Sequence, residues 1–352
     1  MPFIIYLARR CDCIDHPGQR SMHADPTPRW GGLALTVGMV PALFFLEIDR
    51  QVISFVIAIL ILIVIGGIDD CKRLGWRTKL FAILLSITTF VFLGGVSIRS
   101  LGFYGLDFNV RLGWVSIPFT YFCIVGVTNA INLIDGLNGL AGGISFMAFV
   151  FLGIGGMMSG EPVLGFICFS FAGALLGFLF YNFPKARIFM GDSGSLLIGF
   201  SLASLSILLT QGNNHIHAVG PIITEVDLYK AALSEEFALQ PMFPVLILFV
   251  PIFDTLRVIT VRLLLRKNPF HPDRSHLHHL FIKSGFCPIT TVVALWTVTF
   301  LCGVVALLLI KQSSVPYLGI VLGLSLFVSW LADALGRKRK DQQKQLKEAK
   351  DT

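Results

Sequence analysis

The sequence predicts an all-α polytopic membrane protein, and three observations carry that reading. Of its 352 residues, 55% are hydrophobic in type and only 14% are charged, with a mean hydropathy of +0.77. A soluble domain carries roughly 25% charged residues. The apolar residues also gather into runs of membrane-spanning length, and the basic residues favour one side of an alternating topology.

A hydrocarbon core of about 30 Å takes roughly 17 to 25 residues of helix. Runs of that kind lie at 30–46, 52–68, 78–94, 116–134, 140–158, 162–180, 194–210, 242–260, 289–310 and 316–334, which makes ten full transmembrane helices. The opening "MPFIIYLA", followed by Arg9 and Arg10, is too short to span and lacks a small-residue cleavage site. It reads as the truncated end of a first helix. Residues 1–336 form one polytopic domain, and 337–352, "RKRKDQQKQLKEAKDT", a basic cytoplasmic tail.

Orientation follows from the Lys and Arg residues. With the loop after residue 10 placed in the cytoplasm, 23 of them fall on the cytoplasmic side and 5, Arg50, Arg99, Arg111, Lys230 and Lys311, on the other. This is the positive-inside bias. The net charge of +7 thus reflects topology and attraction to anionic lipid. No nucleic-acid motif is present. The 7 cysteines are scattered and odd in number, and most sit in helices or on the reducing side, so no disulfide framework is expected. The lone pair Cys11 and Cys13 is a weak metal motif. The loop at 211–241, with His215, His217 and Glu225, reads as solvated.

Five polar stretches land on the cytoplasmic surface: "DHPGQRSMHADPTPRWGG" (15–32), "DDCKRLGWRTK" (69–79), "NAINLIDGLNG" (129–139), "NFPKARIFMGDSGS" (182–195) and "NPFHPDRSHLHHL" (268–280). A transporter would hold ionisable groups near the midplane, accessible from both sides in turn. Convergence on one face suits an enzyme with a cytoplasmic polar substrate and a second substrate in the membrane. Asp69, Asp70 and Asp192 supply hard carboxylate oxygens and Asn132 an amide oxygen, a donor set that Mg²⁺ completes with water and phosphate oxygens. Asp192 lies in "MGDSGS", where small residues let backbone approach a ligand and the next helix can offer free N–H groups to an anion.

Asn129, Asn132 and Asp135 recur every third residue and share a helical face, which Asn138 joins if the helix breaks at Gly136. Such side chains match the edges of a base or sugar, or else form a polar seam between helices. His276, His278 and His279 stand beside Arg274, and Lys79 follows the aspartate pair. The spacing is wrong for zinc, so clamps on phosphate are the better reading, with a merely solvated basic surface as the alternative. Asp254, with Arg257 three residues on, is the best support for a proton- or cation-coupled transporter, although a structural ion pair is at least as good a reading.

"GGIDDCKRLGWRTK", "NAINLIDGLNGLAGG", "FMGDSGS" and "NPFHPDRSHLHHL", in this order, resemble the polyprenyl-phosphate N-acetylhexosamine 1-phosphate transferase family, of the glycosyltransferase family 4 type. The branch they resemble is that of bacterial undecaprenyl-phosphate N-acetylglucosamine 1-phosphate transferases, which initiate O-antigen and related surface glycans. The resemblance implies a Mg²⁺-dependent transfer, with Mn²⁺ as a substitute, of sugar 1-phosphate from a UDP-N-acetylhexosamine to undecaprenyl phosphate, releasing UMP at the inner membrane. Asp69 and Asp70 would then activate or orient the lipid phosphate. Asp192 with Asn132 would hold the metal, while Lys79, Arg274, His276, His278 and His279 would contact phosphates and Asp135 and Asn138 the nucleotide. Many bacterial members carry aspartate where Asn138 stands. Partners implied are the two substrates and the membrane, with a homodimer left open.

Overall fold

The computed structural model describes residues 1–17, 25–43, 49–104, 109–211, 239–266, 268 and 275–331. Expectations for Arg274, for the loop histidines 215 and 217 and for the tail 337–352 lie outside the described residues. The first helix, α1 (Pro2–Arg10), starts on a proline, whose missing N–H is an orphan at that position anyway, and ends on two arginines that suit its negative pole.

Helix α2 (Gly31–Leu43) is followed by α3 (Arg50–Lys72), which Asp49 caps by accepting the Val52 N–H at 2.8 Å and which ends on Arg73 in the left-handed region. Helix α4 (Trp76–Thr88) runs into a π-turn at Thr89–Leu93, and α5 (Ser116–Ile134), α6 (Leu140–Met158), α7 (Pro162–Asn182) and α8 (Gly191–Gln211) follow. The remainder is α9 (Met242–Ile247), α10 (Phe249–Leu264), α11 (Leu277–Lys283), α12 (Pro288–Leu308) and α13 (Ser314–Leu331).

Eight helical segments among the described residues are long and apolar enough to cross a membrane, against the ten expected. The protein is an all-α polytopic membrane protein, and the runs at 242–260 and 30–46 are not among the eight. The run at 242–260 is broken at Leu248 into α9 and α10. Pro251 can neither donate to the Ile247 carbonyl nor pack beside it without a clash, which ends the first helix there. The run at 30–46 gives 13 described helical residues, with Pro41 inside.

Helix α8 is the central element: 94% of its apolar window is buried, against 11% for α13. It packs against α2, α3 and α5. Small residues permit the approach, as membrane helices need when no water-driven collapse holds them together. A Cβ on Gly66 would stand 2.6 Å from Ser193 Cα, and one on Gly199 would stand 2.7 Å from Thr128 Cα. Midway along the helix Phe200 meets Phe55 and Phe90 with ring centroids 6.2 and 5.8 Å apart. The Gly66 contact lies one turn before Asp70, so the packing that seats α8 also brings Asp192 to the aspartate pair.

Two small antiparallel pairs interrupt the helical pattern, Ile14–Asp15 with Thr27–Pro28 and Ser100–Phe103 with Asn109–Arg111. One expectation is corrected. Cys13 and Cys71 form a disulfide, with Cα atoms 4.5 Å apart. A tight turn in which the Cys13 N–H bonds to the Ala8 carbonyl folds the N-terminal segment against the end of α3, and a separation of 58 residues gave no local sign of it.

Candidate active site

The end of α3 delivers Asp69 and Asp70 to a place where both are almost wholly buried, 3% and 4% exposed. Consecutive helical residues diverge by about 100°, and the two carboxylates accordingly do different things. Asp69 Oδ2 pairs with Lys79 Nζ from α4 at 2.9 Å, and the same ammonium contacts Asp192 Oδ2 from α8. Three helices thus meet at one cation between two carboxylates. Asp69 Oδ1 is buried with no hydrogen-bond partner.

Asp70 faces the start of α8. Its Oδ1 accepts the Asp192 N–H at 2.7 Å, and its Oδ2 accepts the Ser193 hydroxyl at 2.6 Å and the Ser193 N–H at 3.2 Å. The expectation that this helix start offers free N–H groups to an anion is therefore corrected for Asp192 and Ser193, because Asp70 already takes them. Gly191 makes the approach possible. Its φ is +72°, and a Cβ there would stand 2.5 Å from Asp70 Oδ2.

Asn132 on α5 donates through Nδ2 to Asp192 Oδ1 at 2.7 Å and to Ser195 Oγ at 2.8 Å. It reaches Asp192 as expected, but as a hydrogen-bond donor. Asn129 turns back to the Val125 carbonyl of its own helix at 2.9 Å. The α5–α6 turn is pinned by Asn182, whose Oδ1 accepts the Gly139 N–H at 2.6 Å and whose Nδ2 donates to the Ile188 carbonyl at 2.8 Å. Asn138 donates to the Pro184 carbonyl at 3.2 Å.

A cavity of about 630 Å³ opens here, lined by Asp70, Asn132, Asp135, Asn138, Asp192 and His279 among the residues the sequence singled out. Asp69, Lys79, His276 and His278 are not among its lining residues. Burial first, then the negative charges of Asp192 and Asp70, push Asp135 up to about 7, with Arg29 acting in the opposite direction. His278 is 1% exposed with both ring nitrogens unpartnered, and a Cβ on Gly136 would stand 2.5 Å from its Nε2. The histidine motif is thus seated on the turn that carries Asp135.

The family model of glycosyl transferase family 4 matches residues 52–210, which include both aspartates, Lys79, Asn132, Asp135, Asn138 and Asp192. A protein of Bacillus subtilis (strain 168), described as a probable undecaprenyl-phosphate N-acetylglucosaminyl 1-phosphate transferase, is 32% identical over 338 residues, covering 95% of this chain and 88% of that one. The chain belongs to glycosyl transferase family 4. It is also 34% identical over 313 residues to a decaprenyl-phosphate N-acetylglucosaminephosphotransferase of Mycobacterium tuberculosis (strain ATCC 25618 / H37Rv), covering 82% of this chain and 74% of that one. An undecaprenyl-phosphate alpha-N-acetylglucosaminyl 1-phosphate transferase of Yersinia pestis is 29% identical over 287 residues, covering 80% and 72%.

In this family 4 transferase no three His, Cys, Asp or Glu side chains form a ready metal cage among the described residues. The donor set nevertheless suits a hard divalent cation that keeps most of its coordination for water and phosphate. The unpartnered Asp69 Oδ1 lies in the cluster where Asp192 shares Lys79, and a cation bound there would satisfy it.

Sequence reasoning left several cavity residues unassigned: Asp15, Arg29, Asn182, Phe183, Phe189 and Cys287. Arg29 reaches the wall because the stretch before α2 zips onto the stretch before α8. The Phe189 N–H bonds to the Pro28 carbonyl at 2.7 Å, and the Gly31 and Gly32 N–H groups bond to the Phe189 and Met190 carbonyls at 2.9 Å. Arg29 then pairs with Asp15 at 2.8 Å. The polar stretches 15–32 and 182–195 marked the regions but carried no spacing that singles out these side chains.

Proposed function

We propose that the protein transfers N-acetylhexosamine 1-phosphate, with N-acetylglucosamine as the sugar, from a UDP-sugar to undecaprenyl phosphate, releasing UMP and starting a lipid-linked surface glycan. The reading places the site on the cytoplasmic face of a bacterial inner membrane, in keeping with the basic-residue asymmetry. The observation that carries it is Lys79 held between Asp69 and Asp192 beside a cavity walled by Asp135, Asn138 and His279. Anionic oxygens, one ammonium and a polar pocket are the parts a phosphoryl transfer uses.

A phosphate monoester has a second pKa near 6, so the lipid acceptor is a competent anion at neutral pH. Positioning and charge neutralisation are then what the protein must supply. The acceptor oxygen attacks the β-phosphorus of the donor in line, and the bond from that phosphorus to the bridging oxygen breaks, so UMP leaves with the pair of electrons. Mg²⁺, when bound, offsets the negative charge of the diphosphate. Asp192 and Asp69 would hold it, and Asn132 would keep Asp192 oriented through the Nδ2 contact. Asp69 and Lys79 set the field at the incoming phosphate. Asp135 and Asn138 meet the nucleotide, and His279 with Arg274 meets the phosphates, His276 and His278 standing behind the cavity wall.

The transporter alternative loses its main support, since both Asp254 oxygens are engaged within the protein. The test is UMP release by purified protein supplied with UDP-N-acetylglucosamine, undecaprenyl phosphate and Mg²⁺, compared with UDP-N-acetylgalactosamine and UDP-MurNAc-pentapeptide. Release that needs both substrates supports the reading, and solute flux without UMP release refutes it. Exchange of labelled UMP into the UDP-sugar by lipid-free enzyme would overturn the in-line course in favour of a covalent intermediate.

A further inference from the structure

We propose that Asp254 is a positioning residue that fixes the histidine motif in the geometry its phosphate contacts require. The proposal rests on the transferase reading above. Asp254 lies on α10, is 2% exposed and does not line the cavity, so it has no direct route to substrate. Its Oδ2 meets His276 Nδ1 at 2.9 Å, and its Oδ1 accepts the Leu277 N–H at 2.9 Å and lies 3.3 Å from Arg257 Nη2. The same Arg257 nitrogen donates to the Ser275 carbonyl. Three consecutive residues, 275 to 277, are thereby tied to one helix by a carboxylate and a guanidinium.

The clamp acts on the buried edge of a short segment. Helix α11 has 7 residues, and across residues 275–283 only His276, Leu277 and His278 are buried. A buried carboxylate is costly unless its lone pairs are engaged, and here they are engaged by this segment. The contact also selects a tautomer. A nitrogen facing a carboxylate carries the proton, so His276 bears it on Nδ1 and keeps Nε2 for any other partner. The placement is passed on through ring contacts, stacked in the first pair and tilted in the second. The His276 and His278 rings lie 6.0 Å apart at 15°, His278 and His279 lie 4.2 Å apart, and His279 lines the cavity.

The experiment is a double-mutant cycle on Asp254→Asn and His276→Ala in the full-length protein, with steady-state kinetics, thermal melting in detergent and ¹⁵N spectra of the histidine rings. Asparagine can still accept from Leu277 but turns a donor towards His276. Asp254→Asn is expected to stay folded and to lose about tenfold or more in kcat/KM, chiefly through KM for the UDP-sugar. In the His276→Ala background the same change is expected to cost less than about twofold. Additive losses in the cycle, or unaltered kinetics in folded Asp254→Asn, would overturn the proposal. A wild-type protein that releases no UMP would refute the transferase reading instead. The spectra decide the clamp in either case: a His276 protonated on Nδ1, switching to Nε2 in Asp254→Asn, supports it, and a wild-type His276 protonated on Nε2 sinks it.

Discussion

Asp70 takes the hydroxyl of Ser193 at 2.6 Å, and with its other oxygen it takes the N–H of Asp192, so the second aspartate of the pair caps the helix that carries Asp192. Asp69, one residue earlier, faces Lys79 instead.

The two aspartates should therefore fail in different ways. Asp70→Asn replaces a charged acceptor with one donor and one acceptor against three donated bonds, and hydrogen bonds to charged groups contribute about 1.5 to 3 kcal/mol each. We expect a lower melting temperature together with lost turnover. Asp69→Asn should nearly abolish turnover with a much smaller change in melting. Equal melting of the two variants would show that the cap carries no stability.

Two neighbouring glycines provide a packing test. Gly66→Ala would put a methyl group 2.6 Å from Ser193 Cα, whereas a Cβ added at Gly67 would meet nothing within 4 Å. Alanine in a helix is favoured over glycine by about 1 kcal/mol, so Gly67→Ala should be neutral or stabilising. Gly66→Ala should cost more than it gains and reduce turnover, because α8 must retreat and take Asp192 with it. Melting and UMP release on the pair decide this.

Much of this was legible beforehand. The apolar runs gave the spans because a bilayer imposes their length, and the carboxylates stood out because charge beside such runs is costly. The partition between Asp69 and Asp70 was not legible. It depends on a Gly66–Ser193 contact between residues far apart in the chain. Nor was the cavity role of Arg29, which depends on backbone pairing between 28–32 and 189–190. The broken run at 242–260 was legible in principle, since Pro251 was visible, but hydropathy alone outweighed it.

Lys79 should not tolerate substitution by arginine. Its ammonium sits as a compact charge between Asp69 and Asp192, whereas a guanidinium spreads its charge over a plane and presents its donors as a rigid fork. Lys79→Arg is expected to lose at least about tenfold in kcat with the charge retained. Near-normal turnover would show that charge alone suffices.

Acid should loosen the histidine motif. Burial, and then the charge of neighbouring His279, push His278 down from 6.5 to about 3. A folded-state value below the unfolded one means the contribution is fully present above 6.5 and is lost as pH falls towards 3. Hydrogen exchange at residues 276–283, corrected for intrinsic rate, should quicken between about pH 7 and about pH 5, and His278→Leu should remove that acid dependence. A flat profile in the wild-type protein would contradict the assignment.

Above all, Asp192, Asp69 and Lys79 are held to form one cation-assisted phosphoryl-transfer site. Titrating Mg²⁺ against wild-type and Asp192→Asn protein, with UMP release and melting temperature read in the same samples, tests this, since an ion that binds only the folded state raises its stability. The expected outcome is metal-dependent release and a metal-dependent rise in melting for wild type, with both nearly lost in a folded Asp192→Asn. Near-normal UMP release by Asp192→Asn at saturating Mg²⁺ would show that the site does not work this way.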